Sequence, residues 1–370
     1  MTLRILLVAP LPPPPGGIGR WTQGLLQFAS DDSAVEIVLV CSTPRFRSVW
    51  NLALTARIFG GLIHGTGLFA RFASRLLSER IDVVHITTSC SLGTFRDIAL
   101  SVFARFLGRP VVLHIRNGRL PAAVTSQNWE TTLIKIVCRL AKSVIVLDAA
   151  SGEALRSLVP GRSVFVVPNP AWKIADAPAT PLLAGDPKVI VFAGWLIPDK
   201  GVRELVLACR DILDFEFRLD LIGPVKEGFR EELRALACGR GDGKWMNMLG
   251  QVEGEEVLAR IASGFLLALP SYTEGCPNVI LEAMMLGKPV VATPVGAIPD
   301  MLSLAGVEPC GICVPVRNVD ALRIAIRSLL KQPDYAMELG RRGRERVARE
   351  YSPKAVYARY KSIWETASVR

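Results

Sequence analysis

Short, continuous apolar runs recur along the chain, bounded by turn residues and separated by longer stretches of helical periodicity. Six fall in the first half: Arg4–Ala9, Val35–Cys41, Asp82–Ile86, Val111–Ile115, Ser143–Leu147 and Val164–Val167. Six more follow at Lys188–Ala193, Phe217–Ile222, Met246–Leu249, Gly264–Leu269, Pro289–Thr293 and Gly311–Val314. Apolar strands alternating with helices predict a parallel sheet covered on both faces. Twelve strands are too many for one doubly wound sheet of this length. They divide six and six around the polar, Pro-rich stretch Asn169–Pro181, which reads as a linker. The pattern therefore predicts an α/β protein with two Rossmann-like doubly wound domains, 1–172 and 182–352, facing a central cleft. A last helix, about 353–370, is expected to pack back on the first domain. Ligands in such sheets sit at the carboxyl ends of the strands.

Composition narrows the class. The chain has 370 residues, 50% hydrophobic and 21% charged, which excludes a disordered polymer. No uncharged run approaches the roughly 18 apolar residues of a membrane-spanning helix. The opening Met1–Pro10 runs into four prolines and a glycine pair, so it reads as a buried first strand rather than a leader. A cytoplasmic protein is expected. Eight cysteines include one C-x-x-C, Cys310 and Cys313, without a second pair or a nearby His; buried free thiols fit better than a zinc site.

Net charge is +10, and its distribution is uneven. Residues 1–180 carry 19 basic and 10 acidic side chains, against 25 and 24 in the remainder. A basic first half suits nucleic acid, an anionic membrane face or phosphorylated substrates, or it serves solubility alone. No nucleic-acid motif supports the first of these. Within it, Trp50–Arg80 joins Arg57, Arg71, Arg75 and Arg80 with the apolar positions Leu68, Phe69, Phe72, Leu76 and Leu77. Such a helix either lies on an anionic membrane surface or turns its apolar stripe to the core.

The segment with the most chemistry is Glu274-Gly-Cys-Pro-Asn-Val-Ile-Leu-Glu282, between a predicted strand and a predicted helix. Backbone N–H groups of the loop and a helix N-terminus there make an anion site at the sheet edge. Two carboxylates eight residues apart flank it and can accept hydrogen bonds from sugar and ribose hydroxyls. Upstream, Gly194-Trp-Leu-Ile-Pro-Asp-Lys-Gly201 ends the second domain's first strand and supplies a cation, Lys200. In the first domain Gly16-Gly17 occupies the equivalent turn, a weak signal without the full G-x-G-x-x-G spacing.

At these residues the chain resembles the retaining family-4 glycosyltransferases of the GT-B fold. The matching pieces are Gly16-Gly17, the segment 194–201, Leu249-Gly-Gln-Val252, the E-x7-E pair Glu274/Glu282 and Gly287–Asp300. The first domain matches more loosely, through Asp82-Val-Val-His85 and Val111-Val-Leu-His114. The resemblance implies that Lys200 binds the donor diphosphate and Glu274 the sugar hydroxyls. It implies that the Gly275, Cys276, Pro277, Asn278 and Val279 backbone lies near sugar and diphosphate, and that Glu282 holds the ribose. Gly250 and Gln251 would line the base, Gly194 and Trp195 the strand-end loop, Gly16 and Gly17 the acceptor-side loop. His114 would lie beside the reacting sugar, which makes Glu274, His114 and Lys200 the implied catalytic set.

One departure matters: the family's usual Arg after the strand-end glycine is Trp195 here. Arg20, Arg116 and Arg119 are candidates to replace that cation from the first domain. Several residues have plainer readings. His85 fits a core-edge histidine, as His114 also could; His64 fits a surface residue, Trp21 packing, and Arg341–Arg346 a solvated helix face.

The function implied is transfer of a hexose-type sugar, with retention, from a UDP- or GDP-type sugar nucleotide to a hydroxyl of a glycan or lipid-linked acceptor in cell-surface polysaccharide synthesis. No metal and no cofactor are expected, since no D-x-D occurs. The basic half suits peripheral contact with the inner face of the cell membrane. The rival readings are a non-catalytic sugar-nucleotide-binding subunit of a glycan-assembly complex and a GT-B-like sugar-nucleotide epimerase.

Overall fold

The computed structural model describes residues 2–13, 16–43, 54–90, 92–172, 188–303 and 308–369, with side chains of 54–64 excepted. The linker beyond residue 172, and the side chains of Arg57 and His64, lie outside the described residues. The chain forms two compact units, residues 1–169 with 354–370, and residues 170–353.

In unit one the order is β1 (Leu3–Ala9), α1 (Gly17–Ala29), β2 (Val35–Cys41), α2 (Leu54–Ser78), β3 (Val83–Thr88) and α3 (Thr94–Phe106). It continues with β4 (Val111–Ile115), α4 (Leu120–Thr125), α5 (Trp129–Leu140), β5 (Ser143–Val146), α6 (Ala149–Leu158) and β6 (Ser163–Val166). Unit two runs β7 (Lys188–Ala193), α7 (Val202–Arg210), β8 (Phe217–Ile222), α8 (Phe229–Ala237), β9 (Met246–Gly250), α9 (Gly254–Ser263) and β10 (Leu266–Leu269). Then come α10 (Asn278–Met285), β11 (Val290–Ala292), α11 (Ile298–Met301), β12 (Ile312–Cys313), α12 (Val319–Lys331) and α13 (Pro333–Glu350). Helix α14 (Pro353–Ser368) returns the chain to unit one.

All twelve apolar runs are strands, in two six-stranded parallel sheets. The orders are β2-β1-β3-β4-β5-β6 and β12-β11-β10-β7-β8-β9. Ile5 to Ala9 are fully buried on both faces of β1, which is why the run is continuous rather than alternating. Strand order reverses between β1 and β3 in the first sheet and between β7 and β10 in the second. At such a reversal the flanking helices diverge to opposite faces and open a crevice at the strands' carboxyl ends.

Helices α2, α3 and α5 cover one face of the first sheet, where Leu68, Phe72, Leu76, Leu100, Ala104, Ile134 and Val137 form a single core cluster. The described part of the basic stretch, residues 65–80, follows the core-facing reading. Its apolar stripe faces the core, and Leu77 alone of its large members is exposed, at 69%. The helix starts are locally encoded: Asn128 caps α5 in a capping box with Thr131, Asp148 caps α6 and Asn318 caps α12.

On the other face of the first sheet lie α1 and α14. Trp21 of α1 is fully buried against His114 and Tyr360, a packing residue. All eight cysteines are free; five are buried, Cys41 and Cys313 are half-buried, and Cys238 is exposed, which corrects the expectation that all are buried. Arg341, Arg342 and Arg346 pair with Glu338, Glu345 and Glu350 along α13, as a solvated helix face does.

Candidate functional site

In unit two the reversal between β7 and β10 brings together two loops 74 residues apart in sequence. After β7 the chain passes Gly194 and Trp195, makes a short turn at Pro198–Lys200, and enters α7 through Gly201. After β10 it passes Pro270 and Ser271 to Glu274. The loops touch through backbone: Tyr272 N–H donates to the Asp199 carbonyl at 2.8 Å. Gly201 has φ +65°, and a Cβ there would lie 2.0 Å from the Pro270 carbonyl oxygen, so this approach requires glycine.

Across that contact the Lys200 ammonium donates to Glu274 Oε1 at 2.6 Å, and the Ser271 hydroxyl donates to the same oxygen at 2.7 Å. The side chains are 24% and 12% exposed, so the pair is open to a ligand yet shielded from bulk water. A third loop supports it from behind. Thr293 donates its hydroxyl proton to the Ser271 carbonyl, and Ala297 N–H donates to the Gly275 carbonyl at 2.7 Å. A Cβ on Gly296 would lie 2.2 Å from the Glu274 carbonyl oxygen. Glu274 is thus held in place by the ends of three adjacent strands.

Beyond Glu274, Gly275 and Cys276 lead to Pro277, which caps α10 in an extended conformation (φ −71°, ψ 114°). Asn278 and Val279 open the helix at the same sheet edge, so the first-turn amides and the positive helix end lie there. Glu282, half-buried, stands one turn further along α10. Gly194, Gly223 and Gly250 end β7, β8 and β9, with Gly194 N–H donating to the Ile222 carbonyl and Gly223 N–H to the Gly250 carbonyl. Trp195 is half-buried and Gln251 exposed. Sequence reasoning missed Ser271 and gave no role to Thr293 and Gly296 within the segment Gly287–Asp300; proximity in the fold brings all three to Glu274.

In unit one, Gly16 caps α1 and Gly17 begins it; both are exposed, and a Cβ at either would meet nothing within 4 Å. Internal packing therefore does not require these glycines. Arg20 and Arg119 are exposed. Arg116 is buried, 4.3 Å over the Trp21 ring, and donates to Asn169 Oδ1 at 2.5 Å.

His85 and His114 are fully buried beside it. Trp364 of α14 donates its indole N–H to His85 Nδ1 at 2.9 Å. An indole can only donate, so the His85 proton sits on Nε2, which faces His114 Nδ1 at 3.4 Å. His114 Nε2 in turn faces Arg116 Nη1 at 3.4 Å. Burial, with a smaller contribution from Arg116, pushes His85 down to about 3. Burial, then Arg116 and His85, holds His114 well below the usual imidazole range. The structure thus places His114 inside unit one, in a chain of aromatic and imidazole rings.

Residues 174–346 match the family model described as glycosyl transferases group 1. The MMP alpha-(1->4)-mannosyltransferase of Mycolicibacterium hassiacum is 28% identical over 184 residues, 50% of this chain and 44% of that protein. The putative colanic acid biosynthesis glycosyltransferase WcaL of Escherichia coli is 30% identical over 192 residues, 49% of this chain and 44% of its own. The chain thus spans about half the length of the curated relatives it matches. Among solved structures, the sucrose-phosphate synthase from Thermosynechococcus elongatus superposes with a TM-score of 0.76 at 19% identity, over 98% of each chain. Anabaena HepE in complex with UDP gives 0.73 at 16% identity, over 99% of this chain and 100% of that one. These likenesses establish the fold, GT-B.

Proposed function

We propose that this chain, whose residues 174–346 match the group 1 glycosyl transferases, moves a hexose-type sugar from a nucleoside diphosphate sugar to an acceptor hydroxyl. The observation that carries the reading is the Lys200–Glu274 pair at the strand reversal, where an anionic and hydroxyl-rich ligand finds a cation, a carboxylate and a helix N-terminus together.

Lys200 takes the donor's diphosphate, and the amides from Gly275 to Val279 share its charge. Releasing Lys200 toward phosphate frees Glu274 to accept from sugar hydroxyls, with Ser271 retaining its hydrogen bond. Glu282 accepts from the ribose, and Gly250 and Gln251 lie along the base. The anomeric C–O bond to phosphate breaks as the acceptor oxygen bonds to the same face of the anomeric carbon. The acceptor proton passes to the departing phosphate oxygen. No protein nucleophile is involved, configuration is retained, and the fixed donors stabilise charge as it develops on the leaving group. The acceptor is a glycan or a lipid-linked glycan in polysaccharide synthesis, the role that WcaL's name carries.

Trp195, in place of a second cation, favours a rival: a subunit that binds the sugar nucleotide without turnover. Measuring release of UDP or GDP from their sugars, with and without a glycan acceptor, separates the two. Acceptor-dependent release supports transfer. Tight binding without release supports the rival, and neither binding nor release removes the site assignment.

A further inference from the structure

Helix α3 is apolar on two opposite sides. Leu100 and Ala104 face the core, while Phe95, Val102 and Phe106 are 56%, 50% and 84% exposed. The exposed three are spaced i, i+7, i+11, so at 100° per residue they share an arc of about 40°. Neighbouring α5 repeats the arrangement, with Trp129 and Ile136 exposed at i, i+7. Arg105 of α3 donates to the Leu140 carbonyl at the end of α5, which fixes the two helices alongside each other with their C-terminal ends together. Among the described residues the result is an exposed apolar strip on the outer face of one helical layer, and Leu77 at the end of the adjoining α2 is exposed as well.

The charge around this strip is mostly basic, although Arg75 is paired with Glu79 just beyond α2. Among the described side chains of α2, α3 and α5 there are six basic and two acidic groups. One of the acids, Asp97, is buried and paired with Arg96 at 2.6 Å, which leaves Glu130. Arg71, Arg75, Arg105 and Arg139 are all exposed. A second copy of the chain docking face to face would set these arginines against one another, so the field opposes a symmetric dimer. Exposed Phe and Trp rings with cations at their flanks match a bilayer surface, where rings enter the headgroup region and cations meet anionic lipid.

We propose that the outer face of α3 and α5, rather than the core-facing stripe of α2, docks unit one on an anionic lipid surface. The inference stands apart from the glycosyl-transfer reading, which rests on unit two.

The test is co-sedimentation of the full chain with phosphatidylglycerol-containing vesicles and with pure phosphatidylcholine vesicles, at ~0.1 M salt and above. The wild type should pellet with the anionic vesicles and be released as salt rises. Phe95→Ser with Phe106→Ser, and separately Arg71→Glu with Arg139→Glu, should each weaken binding by about tenfold or more. Brominated lipid should quench the wild type more than Trp129→Phe, a readout that does not depend on the other variants folding. Melting temperature and nucleotide binding of each variant serve as controls. Failure of the wild type to pellet, undiminished pelleting of the Phe95/Phe106 variant, or quenching unaffected by Trp129→Phe would each overturn the proposal. So would a dimer in solution that Phe106→Ser dissociates.

Discussion

Acidification should destabilise unit one through its buried imidazoles, and the size of the effect can be worked out for His85. An unfolded histidine titrates near 6.5, whereas burial holds His85 at about 3. Below about pH 6.5 the unfolded chain takes up a proton that the folded unit refuses, so stability falls with pH through this window. It is intact above the unfolded value and lost progressively down to the folded one. At about pH 5 the difference is roughly 1.5 units, or about 2 kcal/mol at 1.36 kcal/mol per unit. His114, also depressed by burial, adds to the loss in the same direction. The comparison protein is His85→Asn, whose amide oxygen can accept from Trp364 where Nδ1 does now, without the titration. Urea unfolding followed by fluorescence, to which the buried Trp21 and Trp364 contribute, should give the wild type a loss between about pH 7.5 and 5 that exceeds the variant's by about 2 kcal/mol. Carboxylates such as Asp32, held below its usual range by the hydrogen bond from Lys361, contribute equally to both proteins and cancel. Identical pH slopes for the two proteins would refute the assignment of a buried, neutral His85.

In the second unit, Glu274→Gln should cut turnover far more than nucleotide affinity, whereas Glu282→Gln should chiefly weaken donor binding; steady-state kinetics and calorimetry with the nucleotide check both. Gly201→Ala forces a methyl group against the Pro270 carbonyl at a left-handed position, so the β7 and β10 loops must part. The backbone contribution alone is about 1–2 kcal/mol, and a fall in melting temperature together with weaker nucleotide binding is the expected result. Turnover should persist in excess EDTA; loss of activity restored by magnesium or manganese would show that the diphosphate clamp needs a metal.

The strands were legible because each is a continuous apolar run ended by a turn residue, and two-sided burial in a parallel sheet leaves that trace directly. Their ends shifted by one or two residues where strand pairing outlasts the apolar run, as at Thr87 and Thr88 of β3, which pair with His114 and Ile115. Glu274 and Lys200 were legible as a motif. Their direct pairing was not, because it depends on which strands adjoin and on a glycine that lets two carbonyl-bearing loops touch. Periodicity left the facing of α2 open and did not resolve that of α3, for one reason. It reports how apolar residues cluster around a helix, not which cluster faces the sheet. Leu68, Phe72 and Leu76 went inward, while Phe95, Val102 and Phe106, set against an equally apolar Leu100 and Ala104, stayed out. His114 shows the same limit, since a histidine ending an apolar strand reads alike whether it meets a ligand or, as here, Trp21, His85 and Tyr360.

Helix α14 gives the molecule an unusual history on the ribosome. Tyr360 and Trp364 cover Trp21, His85 and His114, yet they are synthesised only after every residue of unit two. At about 5–20 residues per second the intervening stretch takes roughly 10–40 s to make. Throughout that interval the nascent first unit lacks the Tyr360 and Trp364 rings that pack on Trp21, His85 and His114 in the finished protein. The second unit, begun later, can close first. Vectorial synthesis therefore completes this protein in the reverse of its N-to-C order, and the waiting surface is one that a chaperone would meet before the native fold does.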